Sequence, residues 1–214
     1  MRLDPTLRLE RRFWKGGCPC VAGMDEAGRG ALAGPIAVGA VILPPALPDL
    51  PPSSPPRLPR LLRGVRDSKQ MTPVERDAAA GRIKAHALAW CVGFASAGEI
   101  DACGIVAAGR LAALRALEGL GTFPDALLTD FRLDLPELEI PQASLVRGDA
   151  LCLSIAAASV LAKTARDALM RELDGQAPGY GLAQHKGYGT ALHRAAIHLM
   201  GRSPLHRQTF SIGP

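Results

Sequence analysis

Ten residues, Val21 to Gly30 (VAGMDEAGRG), constrain the fold more than any other stretch. A short apolar entry leads into two adjacent carboxylates, Asp25 and Glu26, and the run Gly28-Arg29-Gly30 follows at once. Two acids at the end of a buried strand raise each other's pKa, and burial adds to the cost. A chain holds acids there when something positive lies between them, and a divalent cation is the usual candidate. The glycines carry no Cβ, so their backbone can lie close to a bulky ligand. The same pair also fits an ordinary solvated turn. A phosphate-cradling loop is disfavoured: Gly23 and Gly28 have its spacing, but Arg29 and Gly30 stand where Lys and Ser/Thr are needed. A dinucleotide fingerprint fails on the offset of its third glycine.

A length of 214 residues suits one domain with a sizeable core. Aromatics make up only 4% of the chain, which favours helices packed closely on a sheet over an aromatic-rich β-sandwich. No apolar run reaches membrane-spanning length. Arg2, Arg8, Arg11, Arg12 and Lys15 precede no apolar core, so no secretory signal is expected. Cys91, Cys103 and Cys152 lie in apolar segments and read as small hydrophobes in a reducing cytoplasm. Cys18-Pro19-Cys20 lacks two further ligands at zinc spacing. Beyond Asp174 there is no acid, while Lys186, Arg194, Arg202 and Arg207 fall there with His185, His193, His198 and His206. A basic segment of that length points to a polyanion such as nucleic acid.

Residues 1–20 read as a loose basic lead-in, 21–174 as the main domain and 175–214 as a basic C-terminal segment. Pro44 to Pro59 holds eight prolines and cannot be a helix or a central strand; it reads as an exposed insertion dispensable for chemistry. Strands are predicted at Ile36–Leu43, Ala89–Ala97, Ala126–Thr129 and near Ser144. Thr72-Pro73-Val74-Glu75 opens a helix to about Ala87. A helix is predicted from the Glu99-Ile100-Asp101 stretch to about Leu120, with Leu111, Leu114 and Leu117 on one face. Ala150–Leu173 reads as one long buried helix with Asp149 as its N-cap. Lys163 and Asp167, four residues apart, fit a plain surface pair. Thr190–Met200 closes the list of helices. Asp67 reads as a turn or cap residue and Lys69 as a surface lysine. Asp130, at a strand end, fits either a cap or a ligand-facing acid.

Asp25-Glu26-Ala27-Gly28-Arg29-Gly30 with Gly34-Pro35 resembles the signature of the type 2 ribonucleases H, the ribonuclease HII family. Asp67-Ser68-Lys69, Ala158-Ser159-Val160-Leu161-Ala162-Lys163, His185-Lys186-Gly187-Tyr188-Gly189-Thr190 and the ending GRSPLHRQTF are similar to it as well. Gly104 departs from an expected asparagine, and Phe131 from a glycine after Asp130. The resemblance implies an RNase H-like α/β fold: a mixed central sheet flanked by helices, with a small C-terminal helical extension. It implies cleavage of RNA in RNA–DNA hybrids, and 5′ to ribonucleotides embedded in duplex DNA, leaving 3′-hydroxyl and 5′-phosphate ends. Asp25, Glu26, Asp130 and Asp149 would be catalytic and hold two divalent ions, Mn²⁺ or Mg²⁺, with Asp25 bridging both. An all-oxygen carboxylate set suits such hard cations. Gly28, Arg29, Gly30, Lys69, Lys163, Lys186 and Tyr188 would contact substrate, the glycine backbone and Tyr188 sensing the 2′-hydroxyl. A monomer with no obligate protein partner and no membrane association is expected. A non-catalytic nucleic-acid binding module, or a junction resolvase on the same fold, stands as the alternative.

Overall fold

The computed structural model of the chain describes residues 4–45, 60–131 and 133–213. Apart from Pro44 and Pro45, the proline-rich insertion lies outside the described residues. Five strands form one sheet in the order β3-β2-β1-β4-β5. They are β1 (Val21–Ala27), β2 (Ile36–Ile42), β3 (Ala89–Ala95), β4 (Ala126–Asp130) and β5 (Gln142–Leu145). β1 pairs antiparallel with β2, and β2 with β3, while β1–β4 and β4–β5 are parallel. The mixed sheet has a simple cause. The short link between β1 and β2 forces a hairpin-like return, whereas β4 arrives through a long helix and can lie parallel.

Side-chain alternation along the strands builds two layers. Ala22 and Met24 of β1, with Ile36, Val38, Ala40 and Ile42 of β2, pack against α3 (Ala97–Glu118) through Ile100, Ala112 and Ala116. On the other face lie α2 (Pro73–His86) and α5 (Leu153–Asp174). Here α5 comes so close that side chains are excluded from the sheet. A Cβ on Gly23 would lie 2.3 Å from the Ser154 carbonyl carbon, and one on Gly39 2.3 Å from the Ala158 oxygen. Those two glycines set the depth at which α5 crosses the sheet.

Helix starts follow their sequence signals. Thr72 and Glu75 form the expected capping box, with Pro73 in the first turn. α3 begins at Ala97, earlier than the Glu99-Ile100-Asp101 start expected. Its box is Ser96 and Glu99, the Ser-x-x-Glu signal that marks such starts. Gly104, at φ 80 and ψ 160, kinks α3.

Two expectations are corrected. The lead-in is not loose, because Arg8–Lys15 is a helix, α1, and its Glu10 is fully buried. Nor does one helix run from Ala150. A short α4 (Gly148–Leu151) follows a left-handed turn at Arg147 (φ 58), and the chain is extended at Cys152 before α5 begins. The break arises because Thr6 pairs there: its N–H donates to the Leu151 carbonyl at 3.0 Å, and its carbonyl accepts from Leu153 at 3.1 Å. Asp149 is consequently inside the first turn of α4 and caps nothing. The missing cap of α5 comes from α1. Glu10 accepts from the Ser154 amide and hydroxyl, both at 2.8 Å. A carboxylate at a helix N-terminus is favourable, while burial pushes its pKa up. Glu10→Ala leaves two buried donors unpaired. It should cost about 2 kcal/mol and lower the melting temperature by roughly 6 °C. Thermal denaturation by circular dichroism checks this, and an unchanged midpoint would show that α1 is only loosely docked.

Candidate active site

Strand ends and helix starts gather the acids predicted from sequence. Asp25 lies in β1, only 5% exposed, and its carboxyl accepts the Glu26 amide at 2.8 Å. Burial raises its pKa well above the usual carboxylate range, and the charges of Glu26, Asp130 and Asp149 push the same way; the Ser159 hydroxyl opposes them. Glu26 is also raised, by burial first, with Arg29 acting against it from 3.7 Å. Asp130 ends β4 and accepts the Gly148 amide at 2.7 Å. Asp149 is pushed to about 6 by burial, by Asp67 and by Asp130. Asp25 therefore feels the other three acids, and Asp130 acts on each of the others, although they come from β1, the end of β4 and the start of α4.

Asp67, which reads from sequence as a turn or cap residue, joins this group. It does cap its turn, accepting the Lys69 amide at 2.9 Å, yet it also meets the Asp149 carboxyl. The signal was the Asp-Ser-Lys string itself. Ser68 stands 2.9 Å from Ser159, hydroxyl to hydroxyl, so the turn is tied to α5 directly beneath Asp25. Burial lowers the Lys69 pKa, but the acids around it prevail and hold it raised.

Among the described residues, no three His, Cys, Asp or Glu side chains are drawn together closely enough to hold one ion as they stand. The donor set nevertheless fits a hard divalent cation. It is all carboxylate and mutually repelling, with Asp25 and Asp149 buried. One of its oxygens, Glu26 Oε2, is buried without a hydrogen-bond partner.

Beside Glu26 opens a groove of about 790 Å³. Its lining includes Gly28, Arg29, Gly30, Lys69, Lys163, Lys186 and Tyr188, the full set expected to contact substrate. Asp25, Asp130 and Asp149 do not line it. Gly28 and Gly30 differ in what they are for. At Gly28 (φ +90) a Cβ would fall 1.9 Å from Arg166 Nε, so the protein interior demands glycine. At Gly30 a Cβ would meet nothing within 4 Å, and φ lies outside the left-handed region. Only something from outside the chain would be obstructed there.

Lys163 and Asp167 are not a surface pair. Asp167 is buried and takes Lys163 at 2.8 Å and Arg76 at 3.3 Å, and the reason is that α2 packs over this face of α5. Tyr188 is half-buried, with Lys163 Nζ and the Arg166 guanidinium each 5.3 Å from its ring. Lys186 lies at φ 56, with its ammonium bonded to the Ala183 carbonyl.

Two buried arginines, Arg166 and Arg207, brace the groove. Arg166 donates to the carbonyls of Pro35, Lys186 and Ala33. Arg207 donates to those of Gly34 (3.1 Å), Arg29 (2.8 Å) and Gly28 (2.7 Å). Burial pulls the Arg207 pKa down to about 9. Arg202 likewise bonds the carbonyls of Arg207, Gln208 and Phe210. Much of the C-terminal basic charge therefore points inward, where it was expected to face a polyanion. Asp101 holds the same segment from the other side, through the amides of Gln208 and Thr209.

A mixed sheet in this order, with acids gathered at its centre strand and a groove alongside, defines a ribonuclease H-like α/β protein. The ribonuclease H2 of Pyrococcus horikoshii OT3 shares the fold at a TM-score of 0.69 and 23% identity, covering 90% of this chain and 94% of that one. The family model for Ribonuclease HII matches residues 22–212. The Ribonuclease HII of Anaeromyxobacter sp. (strain Fw109-5) is 48% identical over 209 residues, which are 98% of this chain and 62% of that protein. That of Dehalococcoides mccartyi (strain ATCC BAA-2266 / KCTC 15142 / 195) is 48% identical over 207 residues, 97% of this chain and 93% of that protein. The chain belongs to the ribonuclease HII family. Its members are ribonuclease H-type endonucleases that act on RNA–DNA hybrids, hydrolases of phosphodiester bonds, and membership implies dependence on a divalent metal. Among the described residues, no helix is long and apolar enough to cross a membrane.

Proposed function

We propose that this chain hydrolyses the RNA strand of RNA–DNA hybrids and cuts 5′ to single ribonucleotides in duplex DNA, leaving 3′-hydroxyl and 5′-phosphate ends. It would act as a monomer. Asp25, Glu26, Asp130 and Asp149 would hold two divalent ions, Mn²⁺ or Mg²⁺. Such ions supply Lewis acidity, acidifying water and neutralising charge that develops on phosphate oxygens. The single observation that carries the proposal is the groove in which Gly28, Arg29, Gly30, Lys69, Lys163 and Tyr188 converge beside Glu26.

Each residue has a task its surroundings suit. Lys69, raised in pKa by its acidic neighbours, stays charged for a phosphate. Lys163 is held at Asp167 and so presents its ammonium from a fixed position. The backbone at Gly30, with open space where a side chain would be, can approach a ribose and meet its 2′-hydroxyl. Tyr188 offers its ring to the sugar, steadied between Lys163 and Arg166.

Labelled duplexes test this: an RNA–DNA hybrid, a DNA duplex with one ribonucleotide, and a branched DNA free of RNA. With Mn²⁺ or Mg²⁺ the first two should be cut, and EDTA should stop both. Cleavage of the branched DNA would favour a junction resolvase, and binding without cleavage a non-catalytic module. Tyr188→Ala should reduce cleavage at the lone ribonucleotide by roughly tenfold or more while affecting a continuous hybrid less. An equal loss on both would point to folding and remove the sensor role.

A further inference from the structure

Behind Tyr188 lies a buried polar cluster with no part in the chemistry above. His193 and His206 are fully or almost fully buried, with their Nε2 atoms 3.1 Å apart. Backbone partners fix the proton on each ring. The Ser203 amide, which can only donate, lies 3.0 Å from His206 Nδ1, and with that nitrogen accepting, the Ser203 hydroxyl 2.8 Å away donates to it as well, so that nitrogen is bare and the neutral ring carries its proton on Nε2. The Tyr188 carbonyl, which can only accept, lies 3.0 Å from His193 Nδ1, so that nitrogen is protonated and Nε2 is bare. The remaining two positions match: His206 Nε2–H donates to His193 Nε2. The hydrogen bonds therefore run in one direction, from the Ser203 amide through His206 and His193 to the Tyr188 carbonyl.

The surroundings keep both rings neutral. A second proton on either would oppose another N–H. Burial also lowers both pKa values, His193 to about 4. The groups that face the pair are His185, stacked on His193 at 4.0 Å, the Tyr180 ring 4.6 Å from His206, and the cation Arg202. His185 is fixed in turn, accepting from the Gly187 amide at 3.1 Å and donating to the Tyr180 carbonyl at 2.5 Å.

Tyr188 needs such a hold, since Gly187 (φ +78) and Gly189 flank it. Its carbonyl takes two donors, His193 and the Thr190 amide at 2.8 Å. His206 itself stands in a segment paired with the loop after β1. Gly34 donates to the Leu205 carbonyl at 2.8 Å, and Arg207 to that of Leu32 at 2.9 Å. The next residue, Arg207, holds Gly28 and Arg29.

Resting on the substrate contact proposed for Tyr188, we propose that His206 and His193 are positioning residues. Their one-way relay registers the tyrosine against the glycine loop, so that both contacts meet the same ribonucleotide.

The test combines kinetics with a direct view of the rings. Long-range ¹H–¹⁵N spectra of the whole protein at neutral pH should show His206 protonated on Nε2 and His193 on Nδ1. The opposite tautomers, or a cationic ring, overturn the relay. His206→Gln keeps one acceptor and one donor on a single planar group, whereas His206→Leu keeps neither. For the lone-ribonucleotide duplex, His206→Leu should raise KM by roughly tenfold, with most of the loss in KM, and His206→Gln should recover most of it. Equal effects of Gln and Leu, or an unchanged KM in the Leu variant, overturn the proposal. If the Leu variant does not fold, the Gln variant and the wild-type tautomers decide. Tyr188→Ala separates the two levels. If it leaves cleavage unaltered the sensor role falls, and the tautomers still decide the relay.

Discussion

Asp25→Asn is expected to abolish cleavage of an RNA–DNA hybrid, by roughly three orders of magnitude or more, in a protein that remains folded. The two side chains are nearly the same shape, so packing in β1 is retained. What changes is charge at an acid that feels the other three, Glu26, Asp130 and Asp149. Without cation the folded protein holds this acid at a raised pKa, so it binds more protons than the unfolded chain just above the ordinary carboxylate range. Repulsion there lowers stability as pH rises, and Asn removes it. The variant should therefore melt at the same temperature as the wild type or higher. Added Mn²⁺ should raise the melting temperature of the wild type far more than that of the variant. Retained cleavage, or equal stabilisation of both by Mn²⁺, would refute the role given to Asp25.

The second large effect is on stability. Arg207→Met removes the donors to the carbonyls of Gly28, Arg29 and Gly34, and Met cannot replace them. A buried acceptor left unpaired costs about 1–3 kcal/mol. Relaxation and water entry return part of that, so a net loss of about 4 kcal/mol is expected, or roughly 12 °C in melting temperature. Hybrid cleavage should fall as well, even below the new midpoint, because the loop that lines the groove has lost its brace. Arg207→Lys should recover little, since one ammonium cannot reach three carbonyls in the geometry of a guanidinium. Calorimetry and cleavage assays at a permissive temperature check both parts. A melting temperature within a few degrees of the wild type would mean that the loop is held from elsewhere.

Much of this was legible in the residues. The continuous apolar runs gave β2 and β3 nearly to the residue, and Thr72-Pro73-Val74-Glu75 gave α2 its start. The groove-lining residues were named through the resemblance: HKGYGT matches a family string, and its Lys186 and Tyr188 line the groove. What stayed hidden depends on partners far along the chain. Glu10 looks like one more charge in a basic lead-in until Ser154 is placed above it, 144 residues away. The break at Cys152 cannot be foreseen from an apolar run, because Thr6 makes it. Arg207, His193 and His206 read as part of a basic segment meant for a polyanion, since composition counts charges without regard to which way they point.

Arg207 and Gly28 are joined across 179 residues. During translation the acids and the glycine loop therefore leave the ribosome long before the guanidinium that steadies them. A chain grown only as far as that loop holds it without the guanidinium. The loop beside Glu26 is therefore braced only once Arg207 has been made.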